Sequence, residues 1–429
     1  MTLAGDTAAH LRKQVGGLFL RAVARHPRRS ISGAEHHKHR NQASAFVRAV
    51  SFTRSQGTNL NAGRSMCAAT LLGSSRISCT PFGVHMMTVA AHFQARSRGS
   101  VAQLALKGRR IAKAHPYAAA AVATAGALAA LALVNRRLAR NAENDNPPAG
   151  QFLEINGVQL HYVERGSGPP LVLLHGNGSM IQDFESSGLI DLAARNYRVI
   201  VFDRPGFGHS DRPRSVVWTP AAQAELINSA LERLGVAHAV VLGHSWGASV
   251  AVALALKYPR LVQGLVLASG YYYPTLRPDV VAVSAPAVPL MGDLLRYTIS
   301  PIVSRLMWPL MMTKIFGPRS VPEKFEGFPK EMALRPSQIR ASAAESALMI
   351  PDAFYYRDEY ANLKMPTVIV AGEEDRLVDI DTQSERLHHD VPQSRFHRVP
   401  GAGHMIHQTA TGVVMSAIDE VASARSALG

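Results

Sequence analysis

The chain has 429 residues, 47% of them hydrophobic and 18% charged, which excludes a globally disordered polymer and allows a large core. Its formal charge of +15 is not that of a uniformly basic nucleic-acid binder: residues 1–150 hold 21 Lys and Arg against 4 Asp and Glu, while residues 151–429 hold 25 against 27. Two cysteines, Cys67 and Cys79, exclude a disulfide framework and CxxC metal sites.

Residues 1–115 lack steady hydrophobic periodicity and are expected to form a basic, disordered N-terminal extension. Within it, Leu11 to Arg29 has the Arg-rich character of an organelle-targeting helix, and Met86 or Met87 offers an alternative start. His36, His37 and His39 lack further ligands at suitable spacing and read as a solvated polar patch rather than a metal site. From Tyr117 to Val134 there are eighteen residues without a charge, ten of them Ala. This length predicts a membrane-anchor helix over 116–134, at the margin because Ala contributes little to insertion. Lys107, Arg109, Arg110 and Lys113 precede it and Arg136, Arg137 and Arg140 follow, so charge does not set its orientation. Residues 135–150, closing on Asn146-Pro147-Pro148-Ala149-Gly150, read as a helix end and a linker. The expected localisation is a single-anchor membrane association of an otherwise cytoplasmic protein.

Residues 151–429 change character. Phe152–Ile155 and Val158–Val163 are alternating runs joined by Asn156-Gly157, a strong hairpin signal. Leu171–Leu174, Arg198–Phe202, Ala239–Leu242, Leu265–Ala268 and Thr367–Ala371 are continuous apolar runs, as in parallel strands covered on both faces. Helical segments such as Pro220–Leu234 alternate with them, which predicts an α/β doubly wound sheet with ligands at the strands' C-terminal edge. Between 271 and about 363 the alternation stops, although large apolar residues abound, among them Tyr272, Met307, Met311, Phe316, Phe325 and Phe354. So long a stretch without structure is improbable in a compact domain, so it reads as a helical cap over the sheet edge, its aromatics mostly the cap's own core.

Gly243-His244-Ser245-Trp246-Gly247 is a GxSxG sequence between a buried strand and a helix. A nucleophile on so tight a turn needs small residues two before and two after it. Ser245 in turn needs a base to remove its proton. His404, in Gly401-Ala402-Gly403-His404 after the strand-like Arg395–Val399, is the candidate base, with His407 a satisfied helix histidine and His244 turned away. Of the carboxylates in Gly372-Glu373-Glu374-Asp375, Asp375 has room to orient that base, whereas Glu374 and Asp379 read as surface charges. For the oxyanion, the candidate donors are the backbone N–H groups of Trp246 and of Asn177, in His175-Gly176-Asn177-Gly178. His175 is expected to be a structural hydrogen-bonder.

These motifs, with Asp203-Arg204-Pro205-Gly206-Phe207-Gly208-His209-Ser210 between them, make residues 151–429 resemble the α/β-hydrolase fold superfamily, near its capped dehalogenase- and epoxide-hydrolase-like branch. The resemblance implies a structural role for the Asp203–Ser210 turn and no cofactor. Those relatives use an Asp nucleophile where this chain has Ser245, so acyl-enzyme chemistry is expected instead. The reading is a serine hydrolase of carboxylic esters or related acyl compounds with apolar groups. The same residues would also serve a cofactor-free haloperoxidase/perhydrolase or a C–C bond hydrolase. From another class comes an inactive, membrane-tethered binding protein; nucleic acid and metal are not expected partners.

Overall fold

A computed structural model describes Lys107 and residues 115–426. The targeting segment, the His36–His39 cluster, both cysteines and the rest of the basic extension lie outside the described residues.

An eight-stranded sheet organises the domain, in the order β1-β2-β4-β3-β5-β6-β7-β8. The first two strands, β1 (Gln151–Ile155) and β2 (Val158–Arg165), form the predicted hairpin. Asn156 and Gly157 both take positive φ there, as a tight two-residue turn of this kind demands. Strand β2 is antiparallel to β4 (Arg198–Phe202), and the remaining pairings are parallel. Strands β3 (Pro170–Leu174), β5 (Ala239–His244), β6 (Val262–Ala268), β7 (Thr367–Gly372) and β8 (Ser394–Val399) therefore end on one edge with β4. Each apolar run read as a strand is one. Leu171–Leu174 and Val199–Phe202 are fully buried, as helices on both faces require. After β3 the chain passes to β4 on one side and later returns to β5 on the other, so a topological switch lies between β3 and β5.

The helix Pro220–Arg233 starts at Thr219, whose side chain accepts from the Ala222 N–H at 3.2 Å. The helix Trp246–Lys257 is buried along most of its length because Ala, Val and Leu occupy every side of it.

Between Tyr271 and Leu363 the described structure is helices and short turns without a strand, as the broken alternation implies. Phe316, Phe325 and Phe328 pack with Met180, Met312 and Met405 into an apolar cluster. Tyr272 and Tyr273 instead join the main core beside Tyr360. Met307, Met311, Phe354 and Tyr355 do not belong to the cap core: they lie on outward helix faces and are exposed. The N-terminal region departs from the expected boundary. One helix runs from Pro116 to Asp145, so the linker shrinks to residues 146–150. It continues because its last turns pack on the cap: Asn135 and Ala142 are buried, and Asn135 Nδ2 donates to the Tyr297 and Thr298 carbonyls, each at 2.9 Å. Among the described residues this is the single unbroken helix long and apolar enough to cross a membrane.

Candidate active site

Strand β5 ends at His244 and the next helix starts at Trp246, so Ser245 alone turns the chain. It does so at φ +53° and ψ −119°, a conformation that a residue with a Cβ adopts at a cost. Its N–H is held by the Ala268 carbonyl at 2.8 Å. A Cβ on Gly243 would meet the Gly247 carbonyl oxygen at 2.3 Å, and one on Gly247 would meet the Leu174 oxygen at 2.1 Å. Small residues on either side of the serine are thus a packing requirement.

His404 enters from the loop after β8, turned by Gly401 at φ +67°. Its Nε2 lies 3.0 Å from Ser245 Oγ and its Nδ1 2.8 Å from Asp375 Oδ2. The other Asp375 oxygen accepts from the N–H groups of Leu377 and Val378 at 2.8 and 3.0 Å, which fixes the carboxylate. With Nδ1–H donated to Asp375, Nε2 is left to accept the serine proton. Glu374 and Asp379 are exposed, and Asp379 caps Thr382 instead.

Trp246 opens its helix, so its backbone N–H has no acceptor four residues back in the helix. Asn177, in the turn after β3, uses its side chain on the cap: Nδ2 donates to the Ser342 carbonyl at 3.2 Å and to Ser346 Oγ at 3.1 Å. That turn rests on Arg204, fully buried, whose guanidinium donates to the carbonyls of His175 at 2.7 Å and Gly176 at 2.9 Å. Arg204 also clasps Glu345 of the cap helix Pro336–Tyr356 through both carboxylate oxygens, at 2.5 and 3.1 Å. Sequence reasoning missed Glu345. Its signal was a lone carboxylate in the small-residue run Ala341-Ser342-Ala343-Ala344-Glu345-Ser346-Ala347. Asp203 and Arg204 are structural in this geometry, tying loop, sheet and cap together.

The other histidines have their own partners. His175 accepts from the Arg204 N–H at 3.0 Å, and burial, reinforced by the Arg204 charge, pulls it down to about 3, so it stays neutral. His244 Nε2 donates to the His404 carbonyl at 3.1 Å. His407 is buried against Asp183, Nε2 to Oδ1 at 2.9 Å. Asp183, His244 and His407 bring three possible metal-ligand atoms within 4.8 Å of one another. Asp183 is already engaged by Ser179, His407 and Gln408, and His244 Nε2 by the His404 carbonyl, so coordination there would have to break those bonds.

A family model described as alpha/beta hydrolase fold matches residues 169–411, from the start of β3 to the first residue of the C-terminal helix Thr411–Ser426. The chain is 26% identical over 287 residues to haloalkane dehalogenase 2 of Mycobacterium tuberculosis, covering 64% of this chain and 95% of the dehalogenase. It is 30% identical over 261 residues to 2-hydroxy-6-oxononadienedioate/2-hydroxy-6-oxononatrienedioate hydrolase 2 of Pseudomonas putida, covering 58% and 85%. Among solved structures it resembles a malate-bound thermophilic esterase from Thermogutta terrifontis, with TM-score 0.54, 25% identity, and coverage of 64% of this chain and 99% of the esterase.

Proposed function

We infer that this chain, which belongs to the α/β-hydrolase fold family, is a serine hydrolase that cleaves carboxylic esters or related acyl compounds through an acyl-enzyme. The observation that carries this reading is the hydrogen-bonded chain Ser245 Oγ, His404, Asp375, at 3.0 and 2.8 Å. In it, His404 Nε2 takes the Ser245 proton as Oγ attacks the acyl carbon. The carbonyl oxygen becomes an oxyanion, for which the backbone N–H groups of Trp246 and Asn177 are the donors. His404 then returns the proton to the leaving alcohol oxygen, and a water repeats the cycle to release the acid. Asp375 holds the imidazole in the tautomer that both half-reactions need. The reading extends to a substrate with an apolar acyl or alcohol group, on the strength of the many apolar residues of the cap. The reading also includes the helix Pro116–Asp145 as a single membrane anchor, supported by its length, apolar composition and exposure. An inactive tethered scaffold would not require this hydrogen-bonded chain.

A fluorophosphonate probe and a panel of p-nitrophenyl esters test the assignment. Wild type is expected to label and turn over, and Ser245→Ala to do neither; full labelling of the alanine variant would overturn it. A second reading, C–C bond hydrolysis on the same residues, is favoured by the 30% identity to the Pseudomonas putida hydrolase. Initial rates on dienoate diketones against esters of equal size separate the two.

A further inference from the structure

Below the apolar part of the N-terminal helix lies a cluster of arginines that the chemistry at Ser245 does not use. Arg212, Arg214, Arg296, Arg335 and Arg340 line one cavity of about 350 Å³. Glu143 and Asp211 line it too, and Asp293 and Glu345 lie within ion-pair reach of its arginines. Arg335 pairs with Glu143 at 2.7 Å, while Arg214 and Arg296 share Asp293 at 2.6 and 2.9 Å. The other two cations are not matched in this way. Arg212, its side chain 7% exposed, has its ion-pair partner 3.9 Å away in Glu345, which Arg204 already holds. The Arg340 side chain makes no hydrogen bond or ion pair among the described residues, and the opposing charge that acts on it is Asp293, which Arg214 and Arg296 already share. Burial lowers Arg212 to about 10. Burial also lowers Arg340, with the Arg214 and Arg296 charges adding to the effect and the Asp293 charge opposing it in part. A bound anion would relieve this crowding of like charge.

This cavity adjoins an apolar groove of about 1000 Å³ between the N-terminal helix and the cap; Glu143 and Ser337 line both. Leu128, Ala132 and Leu133 form one wall, and Leu294 and Tyr297 the other. Further along the helix, towards Glu143, Arg136 and Arg140 also line the groove. Asn135 holds the two walls together, donating to the cap as described and accepting from Arg305 at 3.3 Å through Oδ1. The neighbouring cap helix, Ser300–Phe316, exposes Ile302, Val303, Leu306, Met307, Leu310 and Met311. Spaced three and four apart, these residues share one side of the helix, and so broad an apolar face suits lipid better than water.

We propose that the arginine cavity holds the phosphate of an anionic membrane phospholipid whose acyl chains lie in the groove between the N-terminal helix and the cap. The proposal rests on the reading of that helix as an anchor, which puts Arg136 and Arg140 at headgroup depth when Leu128–Leu133 lie in hydrocarbon. The groove favours a lipid over free phosphate, because aliphatic walls continue directly from the cations.

The test uses the full-length protein in maltoside micelles. It is titrated with phosphatidylglycerol, phosphatidylcholine or inorganic phosphate, with adducts read by native mass spectrometry and the melting midpoint recorded alongside. Phosphatidylglycerol is expected to bind at least about tenfold more tightly than phosphatidylcholine and to raise the midpoint, with inorganic phosphate having little effect. Arg340→Ala, whose midpoint without lipid reports that it folds, is expected to weaken phosphatidylglycerol about tenfold. Equal binding of the two lipids, an equal shift from inorganic phosphate, or undiminished affinity in Arg340→Ala overturns the proposal. Partition into neutral phosphatidylcholine vesicles reads the anchor separately, and exclusion from them overturns both anchor and proposal. Fluorophosphonate labelling reads the Ser245 chemistry alone.

Discussion

Two imidazole–carboxylate pairs stand side by side in this molecule, with histidines three residues apart. His404 meets Asp375 at 2.8 Å and His407 meets Asp183 at 2.9 Å, and both histidines are buried. They differ in what the second ring nitrogen finds. His404 turns Nε2 to Ser245, whereas His407 spends Nε2 on its carboxylate and leaves Nδ1 without a partner, wedged between the rings of Phe184 and His244. Asp183 is further engaged by Ser179 and Gln408, so this pair cross-links the helix Ile181–Ser187 to the C-terminal segment. An imidazole–carboxylate pair is therefore not a catalytic unit in itself. It becomes one when its free nitrogen faces a nucleophile.

The largest expected effect falls on the pair facing Ser245. Asp375→Asn should lower ester turnover by about 10³- to 10⁴-fold, measured as kcat, with little change in melting midpoint. A loss below tenfold would remove Asp375 from its assigned role. Asp183→Asn should show the reverse profile, because it leaves a buried imidazole without its charge partner. A loss of about 3–5 kcal/mol in urea unfolding is expected, with turnover of the folded fraction within about tenfold of wild type. If turnover instead fell as far as in Asp375→Asn, the distinction between the pairs would collapse.

The pairs also differ from a carboxyl that has no imidazole. Burial alone would raise Asp183, but the His407 charge and hydrogen bond outweigh it and hold the carboxyl below its ordinary range. The folded state then binds fewer protons than the unfolded state. The stability this confers is complete above the unfolded value near 4 and is lost as pH falls through the folded one. Denaturation midpoints of Asp183→Asn should accordingly vary less than those of wild type on the acid side. Asp352, whose Oδ2 has no hydrogen-bond partner, is raised to about 7, by burial first and by the Glu345 charge second. The sign is opposite: its contribution worsens as pH rises from about 4 to about 7, as ionisation becomes costly in the fold. Asp352→Asn should thus stabilise the protein at pH 8 by on the order of 4 kcal/mol at most and have little effect at pH 4. Equal effects at both pH values would show that the carboxyl is already ionised.

Features that depend only on neighbouring residues are legible in the sequence. The apolar runs of β3 to β7, the Asn156-Gly157 turn and the small residues around Ser245 are all visible in the sequence. Continuous burial, positive φ and close backbone approach are properties of a few neighbouring residues, so their residue types record them. Ser245, Asp375 and His404 are candidates from the sequence because each follows the end of a strand.

The sequence by itself thus determined the sheet, the serine turn and the apolar helix. Tertiary structure decided which charges meet. Arg204 and Glu345 are 141 residues apart, and no period links Arg212 or Arg340 to the end of the helix at Glu143. The extension of that helix to Asp145 likewise followed from Asn135 finding cap carbonyls at Tyr297 and Thr298. A buried polar group must be satisfied, but the sequence around it does not say by whom, because its partner arrives only when distant segments pack.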